Sequence, residues 1–176
     1  GIRDISVSLE FRRVLFRSLA IARPDLSVTL VEPLLRRTTF LEEVVGELGL
    51  AHVRVVRGRA DDLHDEETFD VVTSRAVAPL ERLLTWSMPL VSATGALVAM
   101  KGRSIDDEIE VAAPVLARYR CGTPEVFEVG VGIVDPPTTL VRVPWADPAR
   151  IGWPLAVDKR RGQQRRSRRA TQREVK

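Results

Sequence analysis

Short apolar runs recur along this chain with helical patterns between them, and this alternation limits the fold more than any other feature. Four valine-rich runs, at residues 27–31, 53–57, 69–73 and 96–100, are nearly continuous in apolar content. Strands that are buried on both faces of a parallel sheet have this composition. We therefore predict an α/β fold with a mostly parallel sheet.

Helical signals fill the gaps between these runs. An apolar stripe with helical spacing precedes Gly49, a residue suited to a left-handed helix end; its members are Phe40, Leu41, Val44, Val45 and Leu48. A second helix is predicted over 79–90. A third begins after Ser104, where Asp107 three residues on resembles a capping box, and Pro114 is expected to kink or divide it.

The last two apolar runs, 125–131 and 139–143, lie too close together for a helix to join them. So short a connection joins antiparallel neighbours, because a parallel pair needs a crossover of about a dozen residues. The sheet should therefore end in a hairpin. By analogy of fold, class I methyltransferases end in this way, whereas the nicotinamide-binding Rossmann sheet continues parallel, which argues against an NAD-dependent oxidoreductase.

The two ends of the 176-residue chain differ from its middle. Residues 1–18 show a half-buried strand pattern followed by arginines. Residues 158–176 hold nine basic and two acidic side chains, a net charge of +7, and we expect them to be disordered when free. Such a tail either binds a polyanion such as RNA or merely solubilises the chain. The expected division is a foreign segment at 1–18, a core at 19–157 and a basic tail at 158–176.

The cysteine content and the hydropathy indicate in which cellular compartment the chain is expected. One cysteine, Cys121, excludes an internal disulfide framework, and no apolar run is long enough to span a membrane. We therefore expect a cytoplasmic protein without membrane contact, working as a monomer.

Glu32 is the first candidate for chemistry, because it follows the first apolar run directly. An acid at this point of a doubly wound sheet can accept hydrogen bonds from both hydroxyls of a ribose. The alternative is a solvated or helix-capping acid beside Pro33.

Five sequence motifs, taken together, indicate a protein family. They are the stretch 19–25, the strand and helix start at 28–42, Arg-Ala-Asp-Asp at 59–62, Ser-Arg-Ala-Val-Ala at 74–78, and Lys101-Gly102. Together they closely resemble the RsmG (GidB) family from Leu19 to about Val143. The resemblance implies a class I fold and an S-adenosylmethionine-dependent methyltransferase that modifies N7 of a guanine in 16S ribosomal RNA of the small ribosomal subunit.

The resemblance also implies roles for particular residues. Glu32 would hold the cofactor ribose, Ala60 and Asp61 would frame the adenine, and Arg75 would line the cofactor or guanine pocket. For each, a plain surface charge or packing role is the alternative. Guanine N7 presents its own lone pair, so no catalytic base is required, and His52, His64 and Cys121 suggest neither a metal site nor a triad.

We expect several arginine and lysine side chains to contact the RNA. A cation over the ring would oppose formation of the cationic product, so Arg75 and Lys101 should meet guanine O6, a phosphate or the cofactor carboxylate. Arg36 and Arg37 open a helix, where cations are unfavourable unless an anion is near; they either bind phosphate or pair with acids such as Glu43. The tail would anchor RNA phosphates nonspecifically through residues that include Lys159, Arg160 and Arg161.

One family feature is absent. The first strand and the loop G-x-G-x-x-G should precede Leu19, but residues 1–18 match nothing in the family, so the strand and loop are missing or replaced. That loop supplies backbone donors to the cofactor. We therefore expect this chain to bind S-adenosylmethionine weakly or not at all, and a non-catalytic RNA-binding module with a basic tail remains the alternative function.

Overall fold

The computed structural model describes residues 4–8, 15–75, 78–152 and 155. Within them the strands are β1 (Asp4–Ser8), β2 (Ser27–Glu32), β3 (Val53–Arg57), β4 (Phe69–Arg75), β5 (Val91–Lys101), β6 (Glu125–Val129) and β7 (Thr138–Pro144). The helices are α1 (Leu15–Ala22), α2 (Leu35–Glu47), α3 (Leu80–Ser87) and α4 (Ile105–Tyr119).

All seven strands form one sheet in the order β3-β2-β1-β4-β5-β7-β6. The first five are parallel, and β7 pairs antiparallel with both β5 and β6. The mostly parallel α/β sheet and its terminal antiparallel hairpin are confirmed. This is the class I methyltransferase topology anticipated from the short connection before β7.

Strand β1 occupies the position of the first strand in the sheet, which the sequence predicted to be missing or replaced. It pairs Ile5 with Val28 of β2 and with Val71 of β4, so it lies at the centre of the sheet. A strand is thus present at this position, so the prediction that the first strand is missing is wrong. Its loop is not replaced in kind, because residues 9–14, between β1 and α1, contain no glycine.

Helices pack on both faces of the sheet because successive strand residues point to opposite sides. Val28 and Leu30 join Leu41 of α2 in one buried cluster. Val31 belongs to a larger cluster on the other face, together with residues of α3 and α4. No helix in the described ranges is long and apolar enough to cross a bilayer.

The structure confirms the glycine end predicted for α2 but not the capping box predicted for α4. Gly49 has φ +63°, and the amides of Gly49 and Leu50 donate to the carbonyls of Gly46 and Val45, the paired bonds of a Schellman end. At α4, Ser104 is the N-cap, but its side chain makes no capping bond, so the expected capping box is absent. The prediction that Pro114 could divide α4 is wrong, because the helix continues through it.

Candidate functional site

The carboxyl ends of the parallel strands carry the acids and cations predicted for the site. Glu32, Arg75 and Lys101 are the last residues of β2, β4 and β5. Ala60 and Asp61 open a 3₁₀ turn shortly after β3 ends. Because these strands are parallel, all five residues lie along one edge of the sheet, where open α/β folds bind their ligands.

Glu32 is buried, with 2% of its surface exposed. Its Oε1 accepts a hydrogen bond from the amide of Leu34 at 2.9 Å, the N-cap residue of α2. Its backbone carbonyl accepts from the amide of Gly58 at 3.1 Å, which brings the end of β3 beside it. The carboxylate is therefore oriented by the turn that follows β2, and it is not the solvated acid of the alternative reading.

The two arginines at the start of α2 differ. Arg37 Nη1 lies 3.5 Å from Glu32 Oε2, and its side chain is 29% exposed. It thus pairs with an acid, but with Glu32 rather than Glu43. Arg36 is exposed at the same helix end. An exposed cation there is placed to meet an anion from solution.

The turn after β3 holds Ala60 buried and Asp61 half-buried. Asp62 closes the turn, since its Oδ2 accepts a hydrogen bond from the amide of Arg59 at 2.8 Å. Asp62 thus serves the local fold, and Asp61 stands beside it in the same turn.

A cleft of about 880 Å³ opens beside the ends of β4 and β5. Arg75 and Lys101 line it, whereas Glu32, Ala60 and Asp61 do not. Its other walls come from the start of α3, the first turn of α4 and the hairpin; they include Ala78, Pro79, Arg103, Glu108, Glu128, Pro136 and Thr139. The predicted residues therefore divide into a group around Glu32 and a group around this cleft.

The cleft contains two acids that the sequence reasoning missed. Glu108 Oε2 lies 2.5 Å from Lys101 Nζ and accepts from the amide of Leu80 at 2.7 Å. Glu128, on edge strand β6, stands opposite Thr139 of β7 and so lacks the cross-strand arginine that Glu125 has in Arg142. Glu108 contacts Leu80, 28 residues earlier in the chain, and Glu128 reaches the cleft wall through the pairing of β6 with β7, so local pattern could not identify either acid.

Other reactive groups in the described ranges are engaged elsewhere. The Nε2 atoms of His52 and His64 make hydrogen-bond contacts with the carbonyls of Ala20 and Trp86. Burial raises the pKa of the Cys121 thiol to about 12, which makes it a poor nucleophile near neutral pH. The described part of the chain holds no group of three or more His, Cys, Asp or Glu suited to a metal.

Three predicted RNA contacts, Lys159, Arg160 and Arg161, lie outside the described residues, as does the whole of the basic tail at 158–176. Their role stays a prediction from charge.

The residues present fit one half of S-adenosylmethionine. Near Glu32, a carboxylate has about four acceptor positions, of which the described contacts use two, so two ribose hydroxyls could still bind. The methionine half lacks the glycines of the family's loop, because residues 9–14, which lie outside the described residues, read Leu-Glu-Phe-Arg-Arg-Val. The site thus matches the adenosine end of the cofactor and not the amino-acid end.

Comparison with known proteins gives close relatives. A family profile described as rRNA small subunit methyltransferase G matches residues 18–120. The protein named ribosomal RNA small subunit methyltransferase G of Nocardioides sp. is 64% identical over 148 residues, covering 84% of this chain and 59% of the relative. That of Thermobifida fusca is 55% identical over 125 residues, covering 71% of this chain and 53% of the relative. The chain therefore spans less than two thirds of these relatives.

Solved structures agree on the fold. A precorrin-6y C5,15-methyltransferase from Geobacter metallireducens aligns with TM-score 0.58 at 14% identity, covering 82% of each chain. An rRNA methylase from Streptococcus thermophilus aligns with TM-score 0.53 at 14% identity, covering 81% of this chain and 87% of its own. At such identity the likeness concerns the class I methyltransferase fold alone.

Proposed function

Since the chain belongs to the rRNA small subunit methyltransferase G family, we propose that it is the core of an S-adenosylmethionine-dependent enzyme that methylates N7 of a guanine in 16S ribosomal RNA. The observation that carries the proposal is the family match together with the position of Glu32, Arg75 and Lys101 at three strand ends. Its partner is 16S RNA or the small ribosomal subunit, in the cytoplasm, with the protein acting as a monomer.

The cofactor side consists of the group around Glu32. S-adenosylmethionine supplies an electrophilic methyl group when bound. Glu32 accepts the ribose hydroxyls, while Ala60 and Asp61 border the adenine. Arg37, the more exposed partner of the Glu32 pair, turns away from the carboxylate to admit the ribose and can then meet a phosphate, as can Arg36.

The cleft around Arg75 takes the guanine. Because N7 has an in-plane lone pair, the protein has to align the base and need not remove a proton. Arg75, which lines the cleft and makes no hydrogen bond or ion pair through its side chain with another described residue, donates to guanine O6 or to a phosphate. Glu128 can accept from N1–H and N2–H, a donor pair that guanine alone among the bases offers to one carboxylate, and this contact leaves N7 free.

RNA binding adds the remaining cations. Lys101 lines the cleft, but its side chain is only 6% exposed and two of its three donors are engaged by protein groups, so it mainly orders the cleft wall and leaves one donor for RNA. Lys159, Arg160 and Arg161 of the tail contact phosphates without reading sequence. Deletion of residues 158–176 should therefore flatten the dependence of RNA affinity on salt concentration.

Methyl transfer is tested on a restored chain, in which the N-terminal region of the Nocardioides relative precedes Leu19. We expect this chain to methylate small-subunit RNA at guanine N7, and Glu32→Ala and Arg75→Ala each to lower kcat/KM by about a hundredfold. Glu43→Ala, on the exposed face of α2, is the matched control. Naked 16S RNA and assembled subunits serve as parallel substrates. Wild-type rates in both site variants would overturn the assignment of these residues.

A non-catalytic RNA-binding module is the second candidate, favoured by the absence of glycine from residues 9–14. It predicts salt-sensitive RNA binding by the 176-residue chain and no methyl transfer even after the N-terminus is restored. The two functions therefore give opposite results in the same assay.

A further inference from the structure

We propose that Lys101 and Glu108 form a clamp that positions the wall of the cleft at Ala78, Pro79 and Leu80, so that both are positioning residues for the base that this cleft receives. The inference rests on the proposed function for the identity of that base. The clamp itself rests on contacts between described residues.

The clamp is a chain of three polar contacts. Lys101 Nζ donates to the carbonyl of Ala78 at 2.9 Å and pairs with Glu108 Oε2 at 2.5 Å. The same Oε2 accepts from the amide of Leu80 at 2.7 Å. The carbonyl before Pro79 and the amide after it are thus held by one ion pair, and Pro79 itself has no N–H to contribute.

Burial makes this pair more than a surface salt bridge. The side chain of Lys101 is 6% exposed and that of Glu108 is 25% exposed. Two charges withdrawn from water must be paired and hydrogen-bonded, and removal of one partner leaves the other unpaired. Asp106 and Asp107, in the same first turn of α4, are exposed. Of the three acids in this turn, Glu108 is therefore the one that pairs with a buried side chain.

The contact with Leu80 caps α3 from another helix. The N-cap of α3 is Pro79, which offers no side-chain acceptor, so the first amides of the helix need a partner elsewhere. A carboxylate at a helix N-terminus satisfies an amide and interacts favourably with the helix dipole. Glu108 does this from α4, and so ties the two helices together at the mouth of the cleft.

The consequence concerns the segment that follows Arg75. Ala78 and Pro79 line the cleft, and they stand between Arg75 and the first turn of α3. Arg75 is held by the pairing of β4 with β5, and with Ala78 and Leu80 fixed by the clamp, the wall next to its side chain has a defined position. Loss of the clamp should loosen the wall and weaken base binding while the sheet remains intact.

The test uses the 176-residue chain and GMP as probe. NMR follows the exchange of the Leu80 amide, the Nε–H signal of Arg75 and the affinity for GMP, and thermal unfolding checks that each variant folds. In Glu108→Ala we expect Leu80 exchange to accelerate about tenfold or more, the Arg75 signal to shift and GMP affinity to fall. Asp107→Ala, one position away and exposed, should change none of these.

Two further variants separate a clamp from an ordinary ion pair. Lys101→Met with Glu108→Gln leaves no unpaired buried charge and retains an acceptor for Leu80, so it should fold, protect Leu80 and still bind GMP less well. The exchanged pair, Lys101→Glu with Glu108→Lys, restores attraction, but Lys cannot accept from Leu80 and Glu cannot donate to Ala78. We expect no recovery from the exchange.

Wild-type behaviour in the exchanged pair, or Leu80 exchange in Glu108→Ala no faster than in Asp107→Ala, overturns the clamp. A wild-type chain that does not bind GMP counts against the proposed guanine site instead. The Leu80 exchange and the Arg75 signal then still decide whether the clamp positions the wall.

Discussion

Glu32 serves the fold before it serves any ligand, because its carboxylate holds the turn that leads from β2 into α2. Glu32→Ala removes the acceptor for the Leu34 amide and the partner of Arg37. We expect it to lower the free energy of unfolding by about 1–3 kcal/mol in urea denaturation. Glu32→Gln should cost less, because its amide oxygen can still accept from Leu34.

The control for this prediction is Glu43→Ala, which removes an exposed acid from the same helix. A Glu32→Ala chain as stable as Glu43→Ala would mean that the turn does not depend on the carboxylate. The comparison also matters for activity assays, because it separates loss of ribose binding from loss of fold.

Cys121 gives a prediction about pH. Burial raises the pKa of its thiol to about 12 in the folded chain, whereas the unfolded thiol ionises near 9. The folded state then holds a proton that the unfolded state loses, so the thiol's contribution to stability is complete below pH 9 and declines from there toward pH 12. The stability difference between wild type and Cys121→Ala should shrink over this range.

Ellman's reagent gives an independent check on Cys121. At pH 8 the native thiol should react far more slowly than in urea. Equal rates in the two conditions would contradict the protection of this half-buried thiol.

At the scale of elements, replacing Gly95 and replacing Gly46 by alanine should have opposite effects on the stability of the fold. A Cβ on Gly95 of β5 would lie 2.5 Å from the carbonyl oxygen of Asp70 and 2.9 Å from that of Phe69, both backbone atoms of β4. A Cβ on Gly46 of α2 would meet nothing within 4 Å. Gly95→Ala should therefore destabilise the chain by about 2 kcal/mol or more.

Gly46→Ala should stabilise the chain by about 0.4–1 kcal/mol, because alanine favours the helix and restricts the unfolded chain. Chemical denaturation of both variants measures the two effects against wild type. A Gly95→Ala variant as stable as Gly46→Ala would show that β4 and β5 do not approach so closely at this point.

Strands and helices were predictable where residues close together in the sequence determine them. The run at 53–57 is β3 to the residue, and the seven residues before Thr139 were enough to predict the hairpin. The place of β1 was not predictable, because its alternating pattern indicates a strand but its pairing with β2 and β4 depends on residues up to Ser74. Pro114 likewise misled, since one lost amide bond did not outweigh the packing of α4.

The site was predictable to a similar extent. Glu32, Arg75 and Lys101 follow apolar runs, so topology alone brings them to one edge of the sheet. Glu108 was missed because its partner Leu80 lies 28 residues earlier in the chain. Which cation is free for a ligand and which is engaged by the protein depends on such long-range contacts, and sequence spacing does not report them.

At the scale of the whole molecule, the site has two halves that depend on different parts of the chain. Residues from β2 onward supply Glu32, the turn at Ala60 and the cleft, and these belong to the segment that resembles the family. The link from β1 to α1 supplies no glycine. The described residues therefore offer candidate partners for the adenosine end of the cofactor, whereas residues 9–14 lack the glycines with which the family's loop is expected to meet its amino-acid end.

This division predicts weak cofactor binding. Isothermal titration of S-adenosylmethionine into the 176-residue chain should give no saturation at micromolar concentrations, because desolvating the methionine carboxylate and ammonium without matched partners costs more than the ribose contacts return. The restored chain should bind in the micromolar range, and Glu32→Ala in that background should abolish the gain. Micromolar binding by the 176-residue chain itself would show that residues 9–14 hold the methionine end without glycine, and the cofactor site would then have to be assigned to backbone and side chains of that link.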